Sequence, residues 1–357
     1  MTRSLINEIS DIIWIQTGFL GDIVLTTGAI SQAAQSFPGI RQHLITTSIG
    51  NELLRDHPHL KSITTLDKSA RNPMKAFSNG KRQLFENLSN KKTSVVTLRP
   101  HRSFRSGLLA WYLGFPTITY EESNLSFLAA KTIPRIAVLH EAQRIALLLE
   151  PLGLPRDSTL KTLPFLTHRP ESPLLGSTPG IHGSSQKHTF IGVAPGSNWG
   201  TKRWRVSGFQ ELVCRLLEED PTFNIVLIGS TQERSLADEV AQAVTDSGRI
   251  WNLAGKTTLD DLRSIFPKLA LMISNDSSTV HFASAFRVPC VAIFGATVPE
   301  MGFSPLSPDS RSLGVNLPCR PCSAHGPMMC PLKHFRCMND LDSETVFNAC
   351  MDTLKHS

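Results

Sequence analysis

The chain has 357 residues, 41% hydrophobic and 18% charged, a balance that excludes general disorder and suits compact cores. Such a length exceeds the roughly 250–300 residues that one core organises, so two domains and a cleft between them are expected. The net charge of +6 favours an anionic partner or an anionic membrane surface, though a mildly basic solvated surface carries the same charge.

The N-terminal stretch MTRSLINEISDIIWIQ places two acidic residues before a short apolar run, unlike a signal peptide, so a cytosolic protein is expected. Runs such as LALMI and VAIF have strand length, far below the roughly 20 residues of a membrane span. IIWIQ reads as a buried strand. A helix follows in which Ile23, Ile30, Ala33, Ala34 and Phe37 recur at helical spacing until Pro38-Gly39 stops it. HLITTS, SITTL and SVVTL are further strands with helical patterns between them, a βαβ series that predicts a parallel sheet.

Residues 167–188 are dense in Pro, Gly and Ser and read as a linker between domains 1–166 and 189–357. Beyond it the alternation restarts with FIGVAP. Ser207 is placed to cap a helix carrying Phe209, Leu212, Val213 and Leu216 on one face, and NIVLIG follows. Thr258 and Asp261 form a capping box, LALMIS and CVAIFG complete the strands, and a C-terminal helix is free to return to the N-terminal domain. The fold class is therefore α/β, with two Rossmann-like units in tandem. No internal repeat of 20–50 residues stands out. Neither strand-to-helix turn carries the full G-x-G-x-x-G fingerprint, the first offering only Gly18 and Gly21, which disfavours a dinucleotide-dependent dehydrogenase.

Ligands of parallel α/β sheets bind at the carboxyl ends of the strands, where four polar loops fall: 17–22, 194–204, 229–233 and 274–281. In the first, Asp22 is a lone carboxylate in an apolar stretch, either a helix cap or a reacting group. In the second, Gly196, Ser197 and Gly200 permit a tight loop with free N–H groups, and Lys202 and Arg203 add charge. That suits a phosphate or diphosphate, while a plain turn with solvated cations needs the same residues. In the fourth, Asp276 ends a strand, Ser277 and Ser278 open a helix and His281 lies on its first turn. This is an anion site, or simply a capped helix.

Seven cysteines in a reducing compartment do not imply disulfides. Cys319, Cys322, Cys330 and Cys337 combine a C-x-x-C knuckle with two more thiols, a set suited either to a structural zinc or iron or to reduced thiols packed in a loop. Cys214, Cys290 and Cys350 fall in predicted helix or strand and are expected in the core.

IQTGFLGDIVLTT, LRPHRSFRSGLLA, VAPGSNWGTKRW, IGSTQE and ISNDSSTVHFASAFRVPCVAIFGAT, in that order, resemble the ADP-heptose:lipopolysaccharide heptosyltransferases, glycosyltransferase family nine, most closely the heptosyltransferase II group. The resemblance spans about residues 11–352. It implies a GT-B fold, two Rossmann-like domains facing each other across a cleft. It also implies inverting transfer of L-glycero-D-manno-heptose from ADP-heptose to the inner core of lipopolysaccharide. Asp22 matches the family's general base and Lys202 the residue that neutralises the departing diphosphate. Glu233 matches a donor-binding acid, and Asp276, Ser277, Ser278 and His281 occupy the motif that holds the ADP-sugar together with Gly196 and Ser197. Many relatives carry glycine where this chain has Ser278, so the backbone approach to the donor differs there.

The implied acceptor, Kdo-lipid A or heptosyl-Kdo-lipid A, is strongly anionic. Arg99, Arg102 and Arg105, with His101, follow a strand and are suited to bind it on the N-terminal side, unless they are only an exposed basic helix start. Gly18 and Gly21 would let the acceptor sugar approach the backbone. Such an enzyme works at the cytoplasmic face of the inner membrane. No cofactor is expected for catalysis if Lys202 and the helix N-terminus carry the phosphate charge. Alternatives are a same-fold transferase using another nucleotide-sugar and a non-catalytic nucleotide-sugar-binding protein. Nucleic acid is not an expected partner, because the chain has only two tyrosines and no basic-aromatic tract.

Overall fold

The structure, a computed structural model, describes residues 9–67, 70, 73–88, 95–170, 174, 188–245 and 247–355. Most of the segment expected as a linker, 167–188, lies outside the described residues. The chain divides into two compact units, 1–167 and 168–357.

In the first unit the elements run β1 (Asp11–Ile15), α1 (Leu20–Ser36), β2 (Arg41–Thr46), α2 (Ser48–Leu54), β3 (Ser62–Thr65), α3 (Pro73–Phe85), β4 (Val95–Arg99), α4 (Phe104–Leu113), β5 (Thr117–Tyr120), β6 (Lys131–Ile133), α5 (Glu141–Leu147) and α6 (Arg156–Thr159). The six strands form one parallel sheet in the order β3-β2-β1-β4-β5-β6. Every residue of β1 is buried, as expected of a central strand covered on both faces. Buried Ile23, Val24, Leu25, Ala29 and Ile30 cover more than one side of α1, which packs against α5. Gly28 is needed there, since a Cβ would lie 2.7 Å from the Leu163 carbonyl oxygen.

At the amino ends of β1 to β3 lies a buried polar cluster. Asp11 Oδ1 accepts from His43 Nε2 at 2.9 Å and from Arg41 Nε at 2.9 Å, while His43 Nδ1 meets Ser62 Oγ at 2.8 Å. With Asp11 ionised, Nε2 carries the ring proton and Nδ1 accepts from the Ser62 hydroxyl. Burial pushes the His43 pKa down from 6.5, with Arg41 and Lys61 in the same direction and the Asp11 hydrogen bond and charge opposing. The unfolded chain therefore takes the proton first. His43 contributes stability above its unfolded pKa of about 6.5 that is lost as pH falls below it. Unfolding free energy should fall between pH 7 and pH 5.5, by at most ~1.4 kcal/mol per pH unit from this group, and the melting temperature with it. Thermal scans of His43→Gln should show a shallower drop over that interval.

The second unit repeats the scheme: β7 (Thr189–Ala194), α7 (Val206–Glu219), β8 (Phe223–Leu227), α8 (Arg234–Gln242), β9 (Ile250–Asn252), α9 (Leu259–Ile265), β10 (Leu269–Asn275), α10 (Ser278–Phe286), β11 (Cys290–Ile293), β12 (Arg311–Leu313), α11 (Arg336–Asn339) and α12 (Ser343–Lys355). Its parallel order, β12-β11-β10-β7-β8-β9, is that of the first sheet. The helix expected to start after Ser207 starts earlier, at Val206, because the Arg205 carbonyl accepts from both Gly208 and Phe209. Thr258 and Asp261 form the predicted capping box, with bonds of 2.8 and 3.1 Å. The C-terminal helix α12 packs on α7, β10 and β11 of its own unit, where Val346, Phe347 and Cys350 join the core. Cys290 and Cys350 are fully buried, and burial pushes both thiols up. Cys214 is half-buried and directs its thiol to the Ala243 carbonyl.

Candidate active site

Each sheet reverses its strand order at its first strand, between β1 and β4 and between β7 and β10. Crevices at the carboxyl ends of such strands are where open α/β sheets bind ligands. In the first unit α1 begins at Leu20, and Asp22 occupies its third position. Asp22 Oδ2 accepts from the Phe19 amide at 3.1 Å, one of the donors left over at a helix start. A Cβ on Gly18 would sit 2.6 Å from that oxygen, so glycine at 18 preserves the carboxylate's position. Gly18 thus serves Asp22 directly, whereas Gly21 is buried inside the first turn.

After β4, His101 Nδ1 lies 3.0 Å from Thr17 Oγ1, which joins the β4 loop to the Asp22 turn. Arg99 is 1% exposed. Its Nη2 donates to the Asn124 carbonyl at 2.9 Å and its Nη1 to the His101 carbonyl at 3.4 Å, and burial lowers its pKa to about 10. In this structure, then, the guanidinium expected to reach an acceptor holds a neighbouring loop. Arg102 is exposed and Arg105 half-buried.

In the second unit, the loop after β7 closes into a one-turn 3-10 helix, Gly200–Lys202. Buried Asn275 pins it at both ends: its Nδ2 donates to the Pro195 carbonyl at 2.8 Å and its Oδ1 accepts from the Trp204 amide at 3.0 Å. Lys202 Nζ then stands 2.6 Å from Asp276 Oδ2, the two side chains 13% and 7% exposed. Thr297, just beyond β11, donates its hydroxyl to the same oxygen at 2.6 Å. Arg320 in turn bonds the carbonyls of Phe294, Gly295, Val315 and Thr297, fixing the segment that carries this threonine.

Glu233, after β8, accepts from the Ser230 amide and hydroxyl, both at 2.8 Å. A Cβ on Gly196 would fall on its carboxyl group, so the loops after β7 and β8 touch here. Ser197 is 3% exposed, and its carbonyl accepts from Arg203 Nε at 2.7 Å. Ser277 caps α10 by position, its hydroxyl 2.7 Å from Thr279 Oγ1 and 3.2 Å from Ser274 Oγ, with half-buried Ser278 opening the helix. His281 is 5% exposed, its ring 6.1 Å from that of Phe303. Gly196, Lys202, Glu233 and Asp276 therefore share one region, to which sequence reasoning did not assign Asn275, Thr297 or Arg320. A Thr after a strand and an Arg among cysteines give no periodic signal.

Of the cysteine quartet, Cys319, Cys322 and Cys330 are half-buried, while Cys337, on α11, packs in the hydrophobic core. Burial pushes Cys337 up to about 11, with Arg320 opposing. Among the described residues no group of three or more His, Cys, Asp or Glu is gathered to hold a metal ion. Residues 326–328, in the same loop, lie on the lysine turn: the Thr201 amide donates to the Pro327 carbonyl at 3.3 Å, and a Cβ on Gly200 would meet the Met328 carbonyl.

Residues 82–333 match the model of glycosyltransferase family 9 (heptosyltransferase). The chain belongs to that family. Among curated relatives, lipooligosaccharide heptosyltransferase 2 of Campylobacter jejuni is 32% identical over 175 residues, 47% of this chain and 52% of the relative, so the match spans about half that protein's length. Among solved structures, the family 9 glycosyl transferase of Veillonella parvula aligns over 98% of both chains with a TM-score of 0.82 at 18% identity. The E. coli ADP-heptose lipopolysaccharide heptosyltransferase II aligns over 97% of this chain and 99% of its own, with a TM-score of 0.76 at 19% identity. At these identities the likeness shows the fold, the GT-B pairing of two Rossmann-like units. No helix among the described residues of this family 9 chain is long and apolar enough to cross a membrane.

Proposed function

We propose that this family 9 chain is an inverting heptosyltransferase of the heptosyltransferase II type, transferring L-glycero-D-manno-heptose from ADP-heptose to the lipid-anchored inner core of lipopolysaccharide. The observation that carries the reading is Lys202 held 2.6 Å from Asp276 in the loop after β7, with the Glu233 carboxyl against Gly196 of the same loop, a cation at the carboxyl ends of the strands where a diphosphate would bind. Asp22 takes the proton of the acceptor hydroxyl as that oxygen bonds to the anomeric carbon. The bond from that carbon to the β-phosphate oxygen breaks on the opposite face, and ADP leaves with the electron pair. Lys202 and the N-terminus of α10 compensate the charge that grows on ADP, so no metal is required. Arg102 and Arg105 are suited to the acceptor's carboxylates and phosphates, at the cytoplasmic face of the inner membrane.

The capping bond of Asp22 supports a second reading, in which that carboxylate only starts a helix and the protein binds nucleotide-sugar without transferring it. Nucleotide release measured with ADP-heptose and with UDP-sugars, each with a lipopolysaccharide acceptor, distinguishes the readings. Acceptor-dependent release from ADP-heptose alone is expected, undiminished by excess chelator. Release from a UDP-sugar instead, or none, overturns the first reading, and complete loss in chelator overturns the metal-free step.

A further inference from the structure

Single exposed apolar side chains are ordinary, but one surface of the first unit displays four of them on a fixed frame. Phe104 and Trp111, 58% and 57% exposed, stand seven residues apart on α4, on one face and about 10 Å apart along the axis. Gly107 lies on that same stripe between them. A Cβ there would be 2.8 Å from the Asn124 carbonyl oxygen and 3.1 Å from Leu125 Cβ, so the 124–125 loop is seated on the helix between the two rings. The loop continues into the one-turn helix Ser126–Leu128, where Phe127 is 81% and Leu128 45% exposed.

This display is built. Asn124 donates its amide and its side-chain nitrogen to the Arg102 carbonyl, both at 3.1 Å, and its own carbonyl accepts from buried Arg99. Leu125 adopts a left-handed backbone (φ 58°), a conformation that persists only where surroundings enforce it. Arg102, exposed, and Arg105 stand at the helix start beside the same loop. Aromatic and aliphatic tips flanked by arginines match a bilayer interface with anionic headgroups: the rings enter the acyl boundary and the cations meet phosphate.

We propose that the α4 stripe with the 124–128 loop is the surface by which this protein docks on an anionic lipid bilayer. The proposal rests on the reading of a lipid-anchored acceptor given above. It is tested by co-sedimentation of the full-length protein with vesicles of phosphatidylethanolamine and phosphatidylglycerol, compared with phosphatidylcholine alone. Wild type should bind the anionic vesicles at least tenfold more strongly. Trp111→Ser/Phe127→Ser should lose at least tenfold of that binding while keeping transfer to a deacylated, water-soluble acceptor within about twofold. Phe127→Ser alone, on the most exposed ring, should lose a smaller part and guards against misfolding of the double variant. Unchanged vesicle binding in both variants, or equal binding to both lipids, overturns the proposal. So does a wild-type dimer in light scattering that the substitutions dissociate, since the face would then meet a second copy. Failure of ADP-heptose turnover with vesicle binding intact would count against the proposed function and not against the docking surface.

Discussion

Asp22→Asn should lower turnover by about 10²–10⁴-fold while leaving ADP binding within about twofold. Asn keeps a carbonyl oxygen where Asp22 Oδ2 now accepts from the Phe19 amide, so the start of α1 survives the change. What disappears is the capacity to take a proton. Asp22→Ala would remove cap and base together and could not separate them. The isosteric substitution does, and a melting temperature near wild type is the accompanying control. Product formation at a near wild-type rate in Asp22→Asn would return that residue to a purely structural role and overturn the assignment.

Lys202→Met should lower kcat/KM for ADP-heptose by at least about 10²-fold, mostly in kcat, because the charge it balances grows as ADP departs. Methionine fills much of the same volume without the charge, so lost packing contributes little. The substitution also leaves Asp276, its side chain 7% exposed, with only the Thr297 hydroxyl still donating to it, and some loss of stability is expected as well. Asp276→Asn in the same background should restore part of that stability without restoring turnover, a coupling that a double-mutant cycle reads directly. Equal losses in KM and none in kcat would mean that Lys202 only binds the ground state. Lys202→Arg keeps the charge but exchanges a compact ammonium for a planar fork, and is expected to restore only part of the lost turnover.

The central strands of both sheets were legible because IIWI, FIGVA and LALMI are mostly buried and read as near-continuous apolar runs. The outer strands β6, β9 and β12 were not. Each has three residues, KTI, IWN and RSL, too few for a period and kept in place by the neighbouring strand. The loops that hold Asp22, Lys202, Glu233 and Asp276 were legible from glycine and charge at strand ends. Their partners were not, since Thr297 and Asn275 act through tertiary hydrogen bonds that no local spacing announces. Arg99, expected among the residues suited to an anionic acceptor, ends a central strand, and its burial follows from that position.

The pair formed by Lys202 and Asp276 means that this lysine is not simply an attractor of negative charge. Any incoming anion must take the ammonium away from a carboxylate already in place, so binding there is an exchange of counter-ions. A lone inorganic phosphate recovers little from such an exchange, whereas a diphosphate carrying a nucleoside brings enough further contacts to make it favourable. Under the function proposed above, the pair thus favours a nucleotide-sugar over small inorganic anions.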